Sequence, residues 1–369
     1  MGTIAPTHAR ATLVCSLPLA LAAAILISAP PAGAAQQVRV AVAGDVCLRN
    51  LASGKSPFRY VAALLKGAEM AIINLEGPLT RRSAVTRHKS ARDLAAREQF
   101  LVKGSPAYAR YLPEAGIKVA TLGNNHTMDY LAGGCQDTIA LLHKLGVATT
   151  GAGPNAAGAH RPAVVRAGQG KVAVLSYLAF ISEGGLAACT PATPQHPGVA
   201  VMRGGGKALS QASREALKHD LAAAKRQADI VIVVFHWGVQ KASHPVAYHR
   251  ALAHTAVALG ASAVVGHHPH VLQGIEWYKG VPILYSLGNF VFSPSSGALG
   301  ETGVFDLIFV EARATRVDFH PARISNSTPQ PLSGKAGRRL SQRLLNLGQS
   351  LRPVKGTISK AGVLSIPRP

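Results

Sequence analysis

The chain has 369 residues, with 39 Lys+Arg against 17 Asp+Glu and a formal net charge of +22. At 48% apolar and 15% charged residues it is globular rather than disordered, and long enough for one large domain or two ordinary ones with a sizeable core. The basic excess favours anionic partners, such as acidic polymers or phosphate-rich surfaces, and says nothing about fold.

Residues 1–35 set Arg10 ahead of an apolar run from Ala11 to Ala29 and then a stretch of small residues ending Ala34-Ala35. This is the layout of a secretory signal peptide cleaved after Ala34 or Ala35. The run also approaches the length of an uncleaved membrane anchor, which is the rival reading. Cys15 lies within it, too early for a lipid-attachment cysteine. Export predicts a periplasmic or other extracytoplasmic location, where thiols tend to pair. The mature chain keeps Cys47, Cys135 and Cys189, an odd number without a CxxC knuckle, so no disulfide framework is expected. Nucleic acid is a poor candidate partner: no binding motif is present and aromatic residues make up only 5%.

From residue 38 onward, β-rich apolar runs alternate with helix-like segments. Strands are predicted at 38–46, 70–78, 117–126, 171–180, 229–238 and 261–270, and helices at 133–146 and 211–228. Continuous apolar strands alternating with helices predict an α/β fold with a largely parallel sheet. Strand-like runs at 275–292 and 303–324, with turns but no helix between them, predict an antiparallel region joined to it. The domain is expected to span 36–325, and the polar, basic residues 326–369 to form a loosely structured tail. Two loops, the basic 80–99 and the turn-rich 183–198, are candidates for the edges of a binding cleft.

Several predicted strands finish on polar or metal-capable residues: Asp45, then Asn74 and Glu76, then Asn124, Asn125 and His126, then His236, and finally His268 and His270 beside His267. In open α/β sheets the crevice beyond the strands' carboxyl ends is where ligands bind. Singly, each residue has an ordinary explanation as a cap, a turn residue or a hydrogen-bonded core histidine. Together, two carboxylates and four histidines at successive strand ends point to a metal site. A mixture of carboxylate, amide and imidazole suits Zn, Mn, Fe or Co better than Ca or Mg. So many ligands exceed one tetrahedral ion, and two ions about 3.5–4 Å apart are the machinery of phosphoester hydrolysis.

The stretches AGDVCL, INLEGPLT, LGNNHTMDY, FHWG and GHHPHVLQGIEWYKGVPILYSLGNFVF, in this order, resemble the poly-γ-glutamate capsule-biosynthesis (CapA-like) family, a branch of the calcineurin-like metallophosphoesterase superfamily. The resemblance runs from about Val38 to Arg323. It implies a four-layer α/β/β/α sandwich with two mixed β-sheets. It also implies one or two divalent ions (Mn, Fe or Zn) held by Asp45, Glu76, Asn125, His236, His268 and His270. His126 would protonate or steady a leaving oxygen, and Asp129 would orient His126. His267 is the odd one out, expected behind the ligands or in solvent. Two positions depart from the superfamily pattern. Cys47 stands where a histidine is common and is expected to be a buried apolar thiol, and Glu76 replaces the bridging aspartate. One tight metal and one weak one are therefore expected.

Functionally, the resemblance implies an exported hydrolase of phosphoesters or similar linkages, or an accessory factor for an anionic polymer such as poly-γ-glutamate, in a membrane-bound synthesis complex. The alternative is a non-catalytic polyanion-binding envelope protein with a structural or vestigial metal.

Overall fold

The computed structural model describes residues 1–3 and 37–369 except 50, 52–53, 97–98, 180–188, 206–207 and 294. The chain divides into two units, Met1–Ala35 and Gln36–Pro369. The predicted signal or anchor segment, Cys15 and residues 183–188 lie outside the described residues, and the fold below is that of the second unit. Among the described residues no helix is long and apolar enough to cross a membrane.

Alternation along the strands sets the architecture. β1 (Gln37–Val46), β2 (Met70–Leu75), β3 (Ile117–Thr121) and β4 (Ala148–Thr150) lie parallel in that order. A second, six-stranded sheet follows, built from β5 (Ala163–Ala167), β6 (Gly170–Ala179), β7 (Ile230–Trp237), β8 (Ala263–His267), β9 (Ile275–Tyr278) and β10 (Val281–Leu284). Its order is β9-β10-β8-β7-β6-β5, parallel from β10 to β6 and antiparallel at both edges.

The chain then returns to the first sheet with β11 (Asn289–Val291), β12 (Glu301–Val310), β13 (Arg313–Ser325), β14 (Thr328–Pro331), β15 (Thr357–Ile358) and β16 (Leu364–Pro367). That ten-stranded sheet runs β15-β16-β13-β12-β1-β2-β3-β4, with β11 on β1 and β14 on β13.

Successive side chains on a strand face opposite ways. Val38, Val40 and Val42 of β1 therefore share one core with Val172 and Val174 of β6 and with Ile230, Ile232 and Val234 of β7, which places that core between the sheets. Ala41 and Ala43 face the other way, into a cluster with Leu65 of α1 (Ala62–Lys66) and with Cys135 and Leu142 of α2 (Leu131–Lys144). On the second sheet, Val231, Val233 and Phe235 pack against Leu217 and Leu221 of α3 (Gln211–Lys225) and Leu252 and Ala256 of α4 (Ala247–Ala258). Helix, sheet, sheet and helix thus form the four layers of an α/β/β/α sandwich. Both sheets are mixed, where alternation alone had suggested one largely parallel sheet.

The loose tail expected over 326–369 is not found. Asn326 and Ser327, at φ 48° and 61°, form the two-residue turn of the β13–β14 hairpin, the left-handed pair that a type I′ turn uses. α5 (Gly334–Leu347) then sets Leu340 and Leu344, one turn apart, into the inter-sheet core, where Leu364 and Ile366 of β16 join them. The domain boundary moves accordingly, and the unit extends to Pro369. Arginines at 338, 339 and 343 interrupt this apolar stripe in the linear sequence, and only the helical period separates the two faces.

Candidate metal centre

The strands β2, β3 and β8 stop earlier than the apolar runs suggested, at Leu75, Thr121 and His267. Glu76, Asn125, His268 and His270 thereby leave the ladders and lie in the loops at one end of both sheets. His268 and His270 have φ of 95° and 59°. Non-glycine residues enter this left-handed region at a cost, and surrounding contacts must hold them there. On β1, Gly44 permits the close approach of the Gly288 backbone beside Asp45: a Cβ there would fall 2.1 Å from the Gly288 carbonyl oxygen.

Asp45 is the hub of one half of the site. It is fully buried, and its Oδ1 accepts from Asn74 Nδ2 at 2.8 Å and lies 3.0 Å from His267 Nδ1. Its Oδ2 accepts the His268 backbone N–H at 3.3 Å and lies 3.3 Å from His270 Nδ1. Burial alone would raise this carboxyl, but the contacts from His267 and His270 outweigh it and hold Asp45 well below the usual range. His267 is therefore buried against Asp45 rather than solvated. Asn289, which β11 carries into register beside Asp45, accepts from His270 Nδ1 at 2.9 Å. With its proton on Nδ1, His270 turns Nε2 toward Glu76 Oε1, 3.7 Å away.

Asn74 links this half to the next strand. Its amide nitrogen also lies 3.3 Å from His236 Nδ1, and its oxygen accepts from Asn124 Nδ2 at 3.0 Å. Asn124 in turn accepts the backbone N–H groups of His126 and Thr127, at 3.0 and 3.1 Å. Of the paired asparagines, then, Asn124 shapes the turn and Asn125 keeps its side-chain oxygen uncommitted. The ring of His268 sits 4.9 Å from that of His236, and both are kept neutral: burial, then the His268 ring, pushes His236 well down, and burial, then His270, pushes His268 to about 3.

Glu76 behaves oppositely to Asp45. Burial, and after it the Asp45 charge, raise it to about 8. His270 opposes its own burial through Glu76 and Asp45 and rises to about 9. Asp45, Glu76 and His270 each offer a ligand atom within 4.8 Å of the others'. Glu76 Oε2, Asn125 Oδ1 and His236 Nε2 are buried without a hydrogen-bond partner among the described residues. Buried lone pairs of this kind are costly unless something binds them. An oxygen–nitrogen donor set with uncommitted lone pairs fits a divalent transition metal.

His126 stands beside this group, with Nε2 3.7 Å from Glu76 Oε1. Its Nδ1 lies 2.8 Å from Asp129 Oδ2, which also accepts the Val102 N–H at 2.7 Å. The carboxylate accepts the Nδ1–H, which leaves Nε2 facing the site. Lys89, with its side chain 2% exposed, donates to Asp129 Oδ1 and to the Phe100 carbonyl. Burial, then the Lys89 charge, lower His126 and keep it neutral.

Lys89 is the residue that sequence reasoning missed: it lies in the basic 80–99 loop, and no apolar frame marks it. Asn74, noted only as a polar strand end, and Asn289 also gain positioning roles. Cys47 is buried and its thiol is pushed up to about 12 by burial and by Glu76, so a thiolate ligand there is disfavoured. A cavity of about 270 Å³ opens from Glu76, His126 and His270, walled by Phe100 and Phe292 and edged by Arg49 and Lys241.

The layers and the strand-end group define the class: an α/β/β/α sandwich with a buried carboxylate–imidazole group at the strand ends. The chain belongs to the bacterial capsule synthesis protein PGA_cap family, whose pattern matches residues 28–294. It is 30% identical to the capsule biosynthesis protein CapA of Bacillus anthracis over 278 residues, which cover 75% of this chain and 63% of that protein. It is 29% identical to the PGA biosynthesis protein CapA of Bacillus subtilis, covering 75% and 67% respectively. It is also 30% identical to a probable polyglutamine synthesis accessory protein of Mycobacterium tuberculosis, covering 64% and 59%. The match thus spans about two thirds of these relatives' length or less.

Among solved structures, a crystal structure described as a novel phosphatase of Mycoplasma pneumoniae aligns at TM-score 0.42 and 16% identity, covering 81% of this chain and 92% of that one. The protein TT1561 of Thermus thermophilus aligns at TM-score 0.41 and 11% identity, covering 75% and 100%.

Proposed function

We propose that the chain is an exported metal-dependent hydrolase of phosphoesters or chemically similar linkages, acting in the synthesis or handling of an anionic envelope polymer such as poly-γ-glutamate. The observation that carries this reading is the buried Asp45, Glu76 and His270 group with uncommitted lone pairs around it, set beside the His126–Asp129–Lys89 chain. Asp45, Glu76, Asn125, His236, His268 and His270 would hold one or two ions of Mn, Fe or Zn. Such an ion supplies a hydroxide near neutral pH and polarises the scissile group.

The remaining work falls to the chain's own residues. Asp129 fixes the tautomer of His126, whose unprotonated Nε2 takes a proton from water at the site and then returns it to the leaving oxygen. Lys89 offsets the Asp129 charge, and Phe100 and Phe292 exclude water from the cleft. Residues 1–35 would direct export or anchor the protein beside a membrane-bound synthesis complex. The expected outcome for His126→Ala is a kcat about 10²–10⁴-fold lower with metal content unchanged. Full activity on a verified substrate would remove His126 from the chemistry.

A second reading, a non-catalytic polyanion-binding envelope protein with a vestigial metal site, draws on the formal charge of +22. It predicts polymer binding that weakens with salt and no turnover of any phosphoester.

A further inference from the structure

The C-terminal elements build a second cavity, of about 780 Å³, between α5 and the start of β12. Arg339 and Arg343, one turn apart on α5, line it with Arg323 from β13 and His244. Leu340 and Leu344 hold α5 in the core, so the two arginines are displayed on a fixed frame. Glu301 shows what this frame accepts: its carboxylate lies 2.8 Å from Arg343 Nε and 3.9 Å from an Arg323 guanidinium nitrogen. A guanidinium presents a planar fork matched to carboxylate or phosphate oxygens, and here three line a cavity that holds a single carboxylate.

Two chain segments reach both the cavity and the metal cleft. Lys241 edges the cleft and His244, three residues on, lines the larger cavity; Leu299 lines the first and Glu301 the second. Arg323, Arg339 and Arg343 all lie beyond residue 294, where the family match ends. A volume of this size accommodates more than one small anionic group.

We propose that the arginine-lined cavity beside α5 is a second anion-binding site, which holds the distal stretch of a chain of repeated carboxylates or phosphates while its near end lies in the metal cleft. This rests on the polymer part of the function proposed above and names where on this protein the polymer is held. Glu301 occupies the site until an incoming anion replaces it on Arg343.

The test uses the mature chain, residues 36–369, with poly-L-glutamate and sodium polyphosphate as probes, and free glutamate and inorganic phosphate as monomer controls. The Arg339→Gln/Arg343→Gln double variant should bind the preferred polymer about tenfold more weakly, with a flatter salt dependence. Its metal content and its hydrolysis of bis-p-nitrophenyl phosphate should match wild type. Glu301→Gln, which removes the competing carboxylate, should bind that polymer more tightly, a gain that impaired folding cannot produce. The tighter polymer identifies the chain as carboxylate or phosphate. Wild-type polymer affinity and salt dependence in the double variant, or a wild type that binds neither polymer better than its monomer, would overturn the proposal. A metal-free, inactive wild type that still loses polymer binding on the double substitution would count against the hydrolase and leave this site standing.

Discussion

Asp45 on β1 and Glu76 just past the end of the adjacent β2, two buried carboxylates, are treated oppositely by their surroundings. Asp45 receives the Asn74 amide, the His268 N–H and two imidazoles, and stays ionised. Glu76 has imidazoles at 3.7 Å and one oxygen without a partner among the described residues, and is pushed up to about 8. The Asp45 half is thus preorganised by the chain itself, whereas the Glu76 half is completed only by what binds there. Preorganisation on one side and unsatisfied donors on the other are what one tight and one weak metal position would require.

The largest effect that sharpens this contrast comes from outside the ligands. Lys89→Met leaves the Asp129 charge buried without its cation, and removing one partner of such a pair costs about 3–5 kcal/mol. Urea unfolding should show a loss of that order. An unchanged midpoint would mean that Asp129 is satisfied by His126 and Val102 alone.

The next effect is on pH dependence. Glu76 rises from 4.5 to about 8 and His270 from 6.5 to about 9, so both carry protons at pH 7 in the metal-free protein. Both must release them to serve as ligands, and affinity therefore rises with pH toward about 9. Below that range it should fall by up to about tenfold per pH unit for each proton displaced. Titrations with Mn²⁺ at several pH values check this, and an affinity flat between pH 6 and 9 would contradict the protonated Glu76.

The smallest effect is expected at Cys47. Cys47→Ala removes a small buried side chain at a cost of about 1 kcal/mol and leaves metal content untouched. A stoichiometric loss of metal would instead make the thiolate a ligand.

Much of this site was legible because its residues stand at or just beyond the carboxyl ends of buried apolar strands, where packing does not call for a polar side chain. Asp45, Glu76, His236 and His270 all follow that logic. Lys89 does not, since it reaches His126 across 37 residues of chain from a loop with no periodicity. His267, expected behind the ligands or in solvent, lies behind Asp45, and three histidines in four positions do not by themselves show which ring turns inward. The two-sheet sandwich was implied by family resemblance rather than by periodicity, which cannot distinguish one sheet from two. The C-terminal helix was hidden by its linear pattern: leucines at 340, 344, 345 and 347 are interleaved with arginines at 338, 339 and 343, and only the helical period separates the two faces.

The most direct test is elemental mass spectrometry of residues 36–369 beside a His268→Ala/His270→Ala double variant. The metal-centre account predicts near-stoichiometric Mn, Fe or Zn in the wild type and its loss in the variant. A folded wild type that carries no metal and takes up none when it is added would contradict it.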